Sequence, residues 1–104
     1  MNELSNKAKV VYSAMKMLNA NEDNKITSYT IMDFIEENEE LQEYELLKDI
    51  TEEDFVEIIM ELNIKGVNTL IASMCRKGLI EKTEPESVRI NGEKHILRKY
   101  YLKN

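Results

Sequence analysis

Residues 51–82 read TEEDFVEIIMELNIKGVNTLIASMCRKGLIEK, and this stretch decides the fold. Thr51 can cap a helix whose first turn is acidic, which suits the positive end of the helix dipole. A turn at 63–66 separates this helix from a second one over 66–77, and Gly78 is a typical C-terminal stop. The stretch therefore predicts helix, turn, helix and strand. The apolar residues assigned to the first helix are Phe55, Val56, Ile58, Ile59 and Leu62.

The second helix has an apolar side and a polar side. Val67, Leu70, Ile71 and Met74 recur at three- and four-residue spacing, which places them on one face. The polar side is expected to face outward, with a lysine flanking it at each end. Its residues are Lys65, Asn68, Thr69, Ala72, Ser73, Arg76 and Lys77.

A basic hairpin follows the second helix. Residues 79–83 and 96–102 are predicted strands, and the segment between them contains VRINGEKH at 88–95. Asn91-Gly92 within alternating polar and apolar residues favours a type I′ turn. Pro85 is expected to break or bulge the outgoing strand, because proline cannot donate a ladder hydrogen bond.

The N-terminal half predicts two further helices and an acidic segment. A broad apolar stripe predicts a helix over Glu3 to Asn19, buried on two sides by the core or by a second subunit. Residues 25–27 are a candidate strand, and Thr27 or Ser28 can cap a helix to about Asn38, with Ile31, Met32, Phe34 and Ile35 inward. In residues 36–61, Leu41, Tyr44, Leu47 and Ile50 keep a three-residue spacing, which predicts an amphipathic helix.

Size and composition favour one domain in a reducing compartment. A chain of 104 residues suffices for a single hydrophobic core. The single Cys75 cannot form an internal disulfide, which favours the cytoplasm. No apolar run reaches the roughly 18 residues of a membrane span, so no membrane partner is expected.

Charge is divided unevenly along the chain. Residues 1–61 hold sixteen acidic and five basic side chains, a net of −11, whereas residues 62–104 hold four acidic and nine basic ones, a net of +5. Because salt screens charges beyond about 8 Å, a local basic surface matters more to a ligand than the overall charge of −6. A chance division of charge is the alternative explanation.

The helix-turn-helix, the hairpin and the terminal RKYYL at 98–102 together resemble winged helix-turn-helix DNA-binding domains, especially small MarR-type regulators of bacteria or phages. The apolar residues at the offsets of that motif are Val56, Met60, Leu62, Val67 and Leu70. Glu57 and Glu61 stand where the family has a small residue and a turn glycine, which predicts a longer or differently angled turn. The expected fold is mainly α with a small antiparallel hairpin. It forms one domain, with N-terminal helices and acidic segment in 1–50, helix-turn-helix in 51–78 and wing in 79–103.

This resemblance implies a transcriptional regulator that binds double-stranded DNA and is not an enzyme. Helix 66–77 would enter the major groove and the hairpin would follow the backbone or enter the minor groove. The implied contacts are Lys65, Asn68, Thr69, Ser73, Arg76, Lys77, Arg89, Lys94, His95 and Arg98, with Lys99 beside them. An ordinary solvated helix face remains the alternative for the polar side of this helix. A homodimer is expected through the first helix or the hairpin.

A second hypothesis places function in the acidic segment. Residues 36–61 carry twelve carboxylates and a single lysine, which could bind a basic protein partner on the same scaffold.

No metal or cofactor is expected, because one histidine and one cysteine cannot build a Cys/His zinc site and no glycine-rich phosphate loop is present. Cys75 is expected to be a half-buried packing residue.

Overall fold

The computed structural model describes residues 4–103 as four α-helices, two short 3₁₀ helices and five short strands. The helices are α1 (Asn6–Met17), α2 (Ser28–Glu37), α3 (Glu52–Glu61) and α4 (Ile64–Arg76). The strands are β1 (Ile26–Thr27), β2 (Ile80–Lys82), β3 (Glu86–Ile90), β4 (Glu93–Leu97) and β5 (Lys99–Leu102). Four helices with a small antiparallel sheet agree with the mainly α fold predicted with a hairpin.

Helix α1 forms the centre of the core. It packs against α2, α4, both 3₁₀ helices and β5. Val10, Val11, Ala14 and Met15 are fully buried, so the broad apolar stripe of this helix is used within the chain. Ser5 caps the helix by accepting a hydrogen bond from the backbone N–H of Ala8 at 3.1 Å. Glu3, where the sequence placed the helix start, lies outside the described residues.

The turn between α3 and α4 is shorter than the sequence predicted. Only Leu62 and Asn63 separate the two helices, which are bent by 106° relative to each other. Of the two expected alternatives, a longer or a differently angled turn, the longer turn is wrong, because Asn63 caps α4, its Oδ1 accepting from the backbone N–H of Gly66 at 2.8 Å. The cap at Thr51 is confirmed, since its Oγ1 accepts from the N–H of Asp54 at 3.1 Å.

The acidic segment contains 3₁₀ helices rather than the predicted amphipathic α-helix. These helices span Glu39–Glu43 and Glu45–Leu47. Leu41, Leu47 and Ile50 are buried and Tyr44 is half-buried, so the inward residues were predicted correctly. A three-residue spacing matches the 3.0 residues per turn of a 3₁₀ helix, and such helices are stable only in short pieces. The three-residue spacing therefore reflects the geometry of 3₁₀ helices, and the predicted α-helix is wrong.

Two of the apolar residues assigned to helix packing in α3 lie on the surface. Phe55, Ile58 and Leu62 are buried, but Val56 is 49% exposed and Met60 is 81% exposed. A helix of ten residues against one side of a core buries only the residues of one stripe. Val56 and Met60 fall outside that stripe, so they do not pack between the helices as the apolar offsets of the helix-turn-helix motif imply.

The strands form a three-stranded sheet continued by a two-stranded ribbon. The sheet order is β1-β5-β2, antiparallel throughout, and β3 pairs with β4 beyond it. Asn91 and Gly92 have φ angles of 53° and 83°, which agrees with the predicted type I′ turn. The strand predicted over 96–102 is interrupted at Arg98.

That interruption is a β-bulge. Lys82 pairs with Tyr100 and Glu86 pairs with Leu97, so three residues on the outgoing side oppose two on the returning side. Thr83 keeps the two sides together, because its N–H donates to the Lys99 carbonyl at 2.9 Å and its Oγ1 accepts from the Lys99 N–H at 3.0 Å. The extra residue lies at 84–85, where Pro85 was expected to disturb the strand.

Among residues 4–103, no single helix is both long and apolar enough to cross a membrane. Only α3 and α4 taken together meet the length and composition, and they are sharply bent against each other.

Ser13 offers a test of the packing around α1. Its hydroxyl is fully buried and has no hydrogen-bond partner among the described residues. Burying an unpaired hydroxyl costs about 1–3 kcal/mol. We therefore expect Ser13→Ala to raise the free energy of unfolding by about 1 kcal/mol, measured by urea denaturation. Thr51→Ala is the contrasting variant, because loss of a helix cap lowers stability by about 1 kcal/mol. Destabilisation by both variants would contradict the unpaired state of Ser13.

Candidate functional site

The candidate site is a cleft between the outer side of α4 and the base of the ribbon. It has a volume of about 400 Å³. The walls come from α4, from β2 and from β5 with the residue before it, Arg98, and we call this feature the cationic cleft. Its lining residues are Asn68, Ala72, Cys75, Arg76, Lys82, Arg98 and Tyr100.

The fold explains why three cations meet at this cleft. Arg76 occupies the last turn of α4, where a positive charge suits the negative end of the helix dipole. Lys82 lies two residues after the buried Ile80, so strand alternation places both on the face of β2 that packs against α4. Arg98 stands at the bulge and is half-buried. None of the ion pairs within residues 4–103 involves these three side chains.

Two titratable groups in the cleft report on its electrostatics. Burial raises the pKa of the Cys75 thiol; Lys82 opposes that rise, the Glu81 carboxylate adds to it, and Arg98 and Arg76 oppose it less strongly. Burial likewise raises the pKa of Tyr100, opposed by Arg98. Both groups therefore stay neutral near pH 7 and carry no negative charge that would offset the three cations. Cys75 is half-buried, as the sequence predicted for a packing residue.

The ribbon extends the positive surface away from the cleft. Arg89 pairs directly opposite Lys94, and Ser87 opposite Ile96, so these four side chains share one face. Like charges directly opposite each other destabilise a hairpin unless an anion lies near both. A smaller cleft of about 150 Å³ joins this region to α4 and to the start of α2; Ile96, Arg98 and Asn68 all line it.

Not all residues named from the sequence come together. Asn68, Arg76 and Arg98 line the cationic cleft, whereas Thr69 and Ser73 lie further round α4. Lys65 and Lys77 are exposed at the two ends of that helix. The Thr69 hydroxyl donates to the Lys65 carbonyl at 3.0 Å, so towards a ligand it can act only as an acceptor.

His95 is separated from the other basic residues of the ribbon. It pairs opposite Val88 and therefore projects from the face that Arg89 and Lys94 do not use. Its Nε2 lies 3.8 Å from a carboxylate oxygen of Glu93. His95 is thus poorly placed to act with the cationic cleft.

Two cleft residues escaped the sequence prediction. Lys82 and Tyr100 pair with each other across β2 and β5, and both line the cleft. The alternation of Ile80 and Lys82 was a usable signal for Lys82, since a strand following α4 must turn one face towards it. Tyr100 carried no comparable signal, because Tyr101 is also a tyrosine and projects from the opposite face of the strand.

No family model, curated protein or solved structure matches this chain. Within residues 4–103, no group of three His, Cys, Asp or Glu side chains is arranged to hold a metal ion.

The thiol of Cys75 can be used to test the cleft. Because burial favours the neutral thiol, the pH dependence of its alkylation by iodoacetamide should have a midpoint above 9.0. Removing the positive charge of Lys82 in Lys82→Gln should raise that midpoint further, since Lys82 is the main cation opposing the shift. Lys77→Gln removes an exposed charge outside the cleft and should leave it unchanged. An equal effect of the two variants would contradict the placement of Lys82.

Proposed function

We propose that this protein is a sequence-specific DNA-binding regulator of the winged-helix type. In this proposal α4 enters the major groove and the ribbon holds the flanking backbone, as the resemblance to MarR-type regulators implies. The observation that carries the proposal is the cationic cleft: Arg76, Lys82 and Arg98, without ion-pair partners among the described residues, beside the exposed polar side of α4.

The topology supports the winged-helix assignment. Two helices joined by two residues and bent by 106° fall within the 90–120° of helix-turn-helix units. A ribbon that leaves β2 after the second helix and returns through β5 to the middle of a three-stranded sheet is the arrangement expected of a wing. The fold alone does not determine function, so the site has to carry the rest of the argument.

The chemistry of the exposed side chains suits a duplex. Arginine and asparagine can form paired hydrogen bonds with the edges of guanine and adenine, which assigns base reading to Arg76 and Asn68. Lys82, Arg98, Arg89 and Lys94 would neutralise phosphates, and a phosphate near the Arg89–Lys94 pair would relieve its like-charge repulsion. These basic residues extend from the cationic cleft to the ribbon, so they could follow the DNA backbone that flanks the major groove.

The acidic segment fits this orientation. All twelve carboxylates of residues 36–61 are exposed, and none of them lines the cationic cleft. They would repel DNA from that part of the surface and help to present α4 to it.

The proposal includes a cytoplasmic location. A homodimer reading two half-sites would form through the hairpin, where Ile90 is exposed on the face that Arg89 and Lys94 do not use, because the apolar side chains of α1 are largely used in the core.

Binding to duplexes selected from a random pool tests the proposal. Arg76→Ala should lose about 1–3 kcal/mol of binding free energy on the selected sequence and show a weaker preference for it, because a base contact is lost. Lys94→Ala should weaken binding to selected and random duplexes alike. Lys48→Ala removes the same charge from the acidic segment and serves as the control, with no expected change. Wild-type affinity of Arg76→Ala for the selected duplex would refute the assignment of α4.

The salt dependence separates phosphate contacts from other effects. Each phosphate neutralised adds about −0.9 to the slope of log K against log salt. We expect Arg98→Gln and Lys82→Gln each to reduce the steepness by about one, measured by fluorescence anisotropy of a labelled duplex. Unchanged slopes in both variants would place the DNA backbone elsewhere.

A further inference from the structure

The outer side of α3 exposes apolar side chains that nothing in the proposed DNA interface uses. Met60 is 81% exposed and Val56 is 49% exposed. They lie one helical turn apart, opposite the stripe of Phe55, Ile58 and Leu62 that is buried in the core. Neither lines the cationic cleft. An unbranched methionine of this exposure adapts its shape to whatever it contacts.

Carboxylates surround this apolar pair. Glu53 and Glu57 share the outward face with Val56 and Met60, and we call these four residues the α3 outer face. Beside it runs a cleft of about 350 Å³ between α3 and the start of α1. Three carboxylates line that cleft, from Asp54, Glu57 and Glu61.

The charges of α3 are largely uncompensated. Lys7 forms an ion pair with Glu61 at 3.0 Å, and no other ion pair among the described residues reaches this helix. Both partners are about half exposed, and such exposed pairs contribute little to stability. A cation from another molecule could therefore replace Lys7 beside Glu61 at low cost.

The charge of this face selects among its potential occupants. A second copy docking through the same face would bring two sets of carboxylates together, which is unfavourable. DNA and anionic lipid would be repelled for the same reason. A segment that combines apolar side chains with lysine or arginine would gain from both Met60 and the carboxylates.

We propose that the α3 outer face docks a basic amphipathic helix of a partner protein. The apolar stripe of the partner would lie on Met60 and Val56, while its basic side chains would reach Glu53, Glu57 and the neighbouring cleft. Helix α3 offers ten residues, or about 15 Å, which matches two to three turns of a partner helix. This surface differs from the cationic cleft, so docking and DNA binding can occur together.

Titration with a designed peptide tests the docking surface without DNA. The probe is a helical peptide of about 15 residues, with leucine at positions i, i+3, i+4 and i+7 and lysine or arginine elsewhere. A scrambled peptide of equal composition keeps the charge and loses the stripe. We expect calorimetry to show saturable one-to-one binding of the striped peptide and at least about tenfold weaker binding of the scrambled one.

Matched variants locate the binding. Met60→Ala should weaken the affinity for the striped peptide about tenfold, and Glu57→Gln should weaken it about threefold. Ile96→Ala removes another exposed apolar residue, from the ribbon, and Glu43→Gln removes an exposed carboxylate from the first 3₁₀ helix; neither should change the affinity. All four residues are exposed, and thermal denaturation verifies that each variant folds.

Three results would overturn the proposal. They are equal affinity for the striped and scrambled peptides, unchanged affinity of Met60→Ala, and a loss in Ile96→Ala as large as that in Met60→Ala. The DNA proposal is judged independently, because Met60→Ala should bind the selected duplex as the wild type does. If the wild-type protein binds the striped peptide but no duplex, only the DNA assignment is refuted.

Discussion

Burial of the inner stripe of α4 is the constraint on which the rest of the structure depends. Val67, Ile71 and Met74 are fully buried among α1, α2 and β2. Each contributes about 1.5–3 kcal/mol, whereas an exposed ion pair contributes at most about 1 kcal/mol. The core therefore sets the rotation of α4 about its axis, and its outer residues can be chosen for binding. The ribbon follows from the same constraint, since Ile80 carries β2 directly from α4 into the core.

Arg98 shows how a local irregularity can build a site. On a regular ribbon the strand predicted over 96–102 would pass α4 without a break. The extra residue at 84–85 interrupts the pairing instead, and bulges of this kind increase the local twist of a strand. Arg98 lies opposite the extra residue, half-buried, where it lines the clefts on both sides of Tyr100. Three cations then line a small volume without ion-pair partners among residues 4–103, so this part of the surface is positive although the whole protein carries a net charge of −6.

Helices α3 and α4 carry opposite charge. Helix α3 holds five carboxylates and α4 holds none, although only two residues separate them. The bend of 106° turns these helices in different directions, so one presents an acidic and apolar surface while the other presents a polar and basic one. With screening beyond about 8 Å, each surface would act on its own proposed ligand. The proposed DNA contact and the proposed protein contact can therefore coexist on one small domain.

Local chemistry in the sequence was enough to place the caps and turns. Thr51, Gly78 and Asn91-Gly92 were identified correctly, because side-chain capping and positive φ angles depend on neighbouring residues. The candidate site was partly predictable: periodicity placed Asn68 and Arg76 on the outer side of α4. Tertiary structure decided the rest. A three-residue spacing did not distinguish 3₁₀ from α-helix at Leu41 and Leu47, the exposure of Met60 depended on how few neighbours α3 has, and Lys82 joined Arg98 only through strand pairing. Such contacts join residues far apart in the chain, and no local pattern records them.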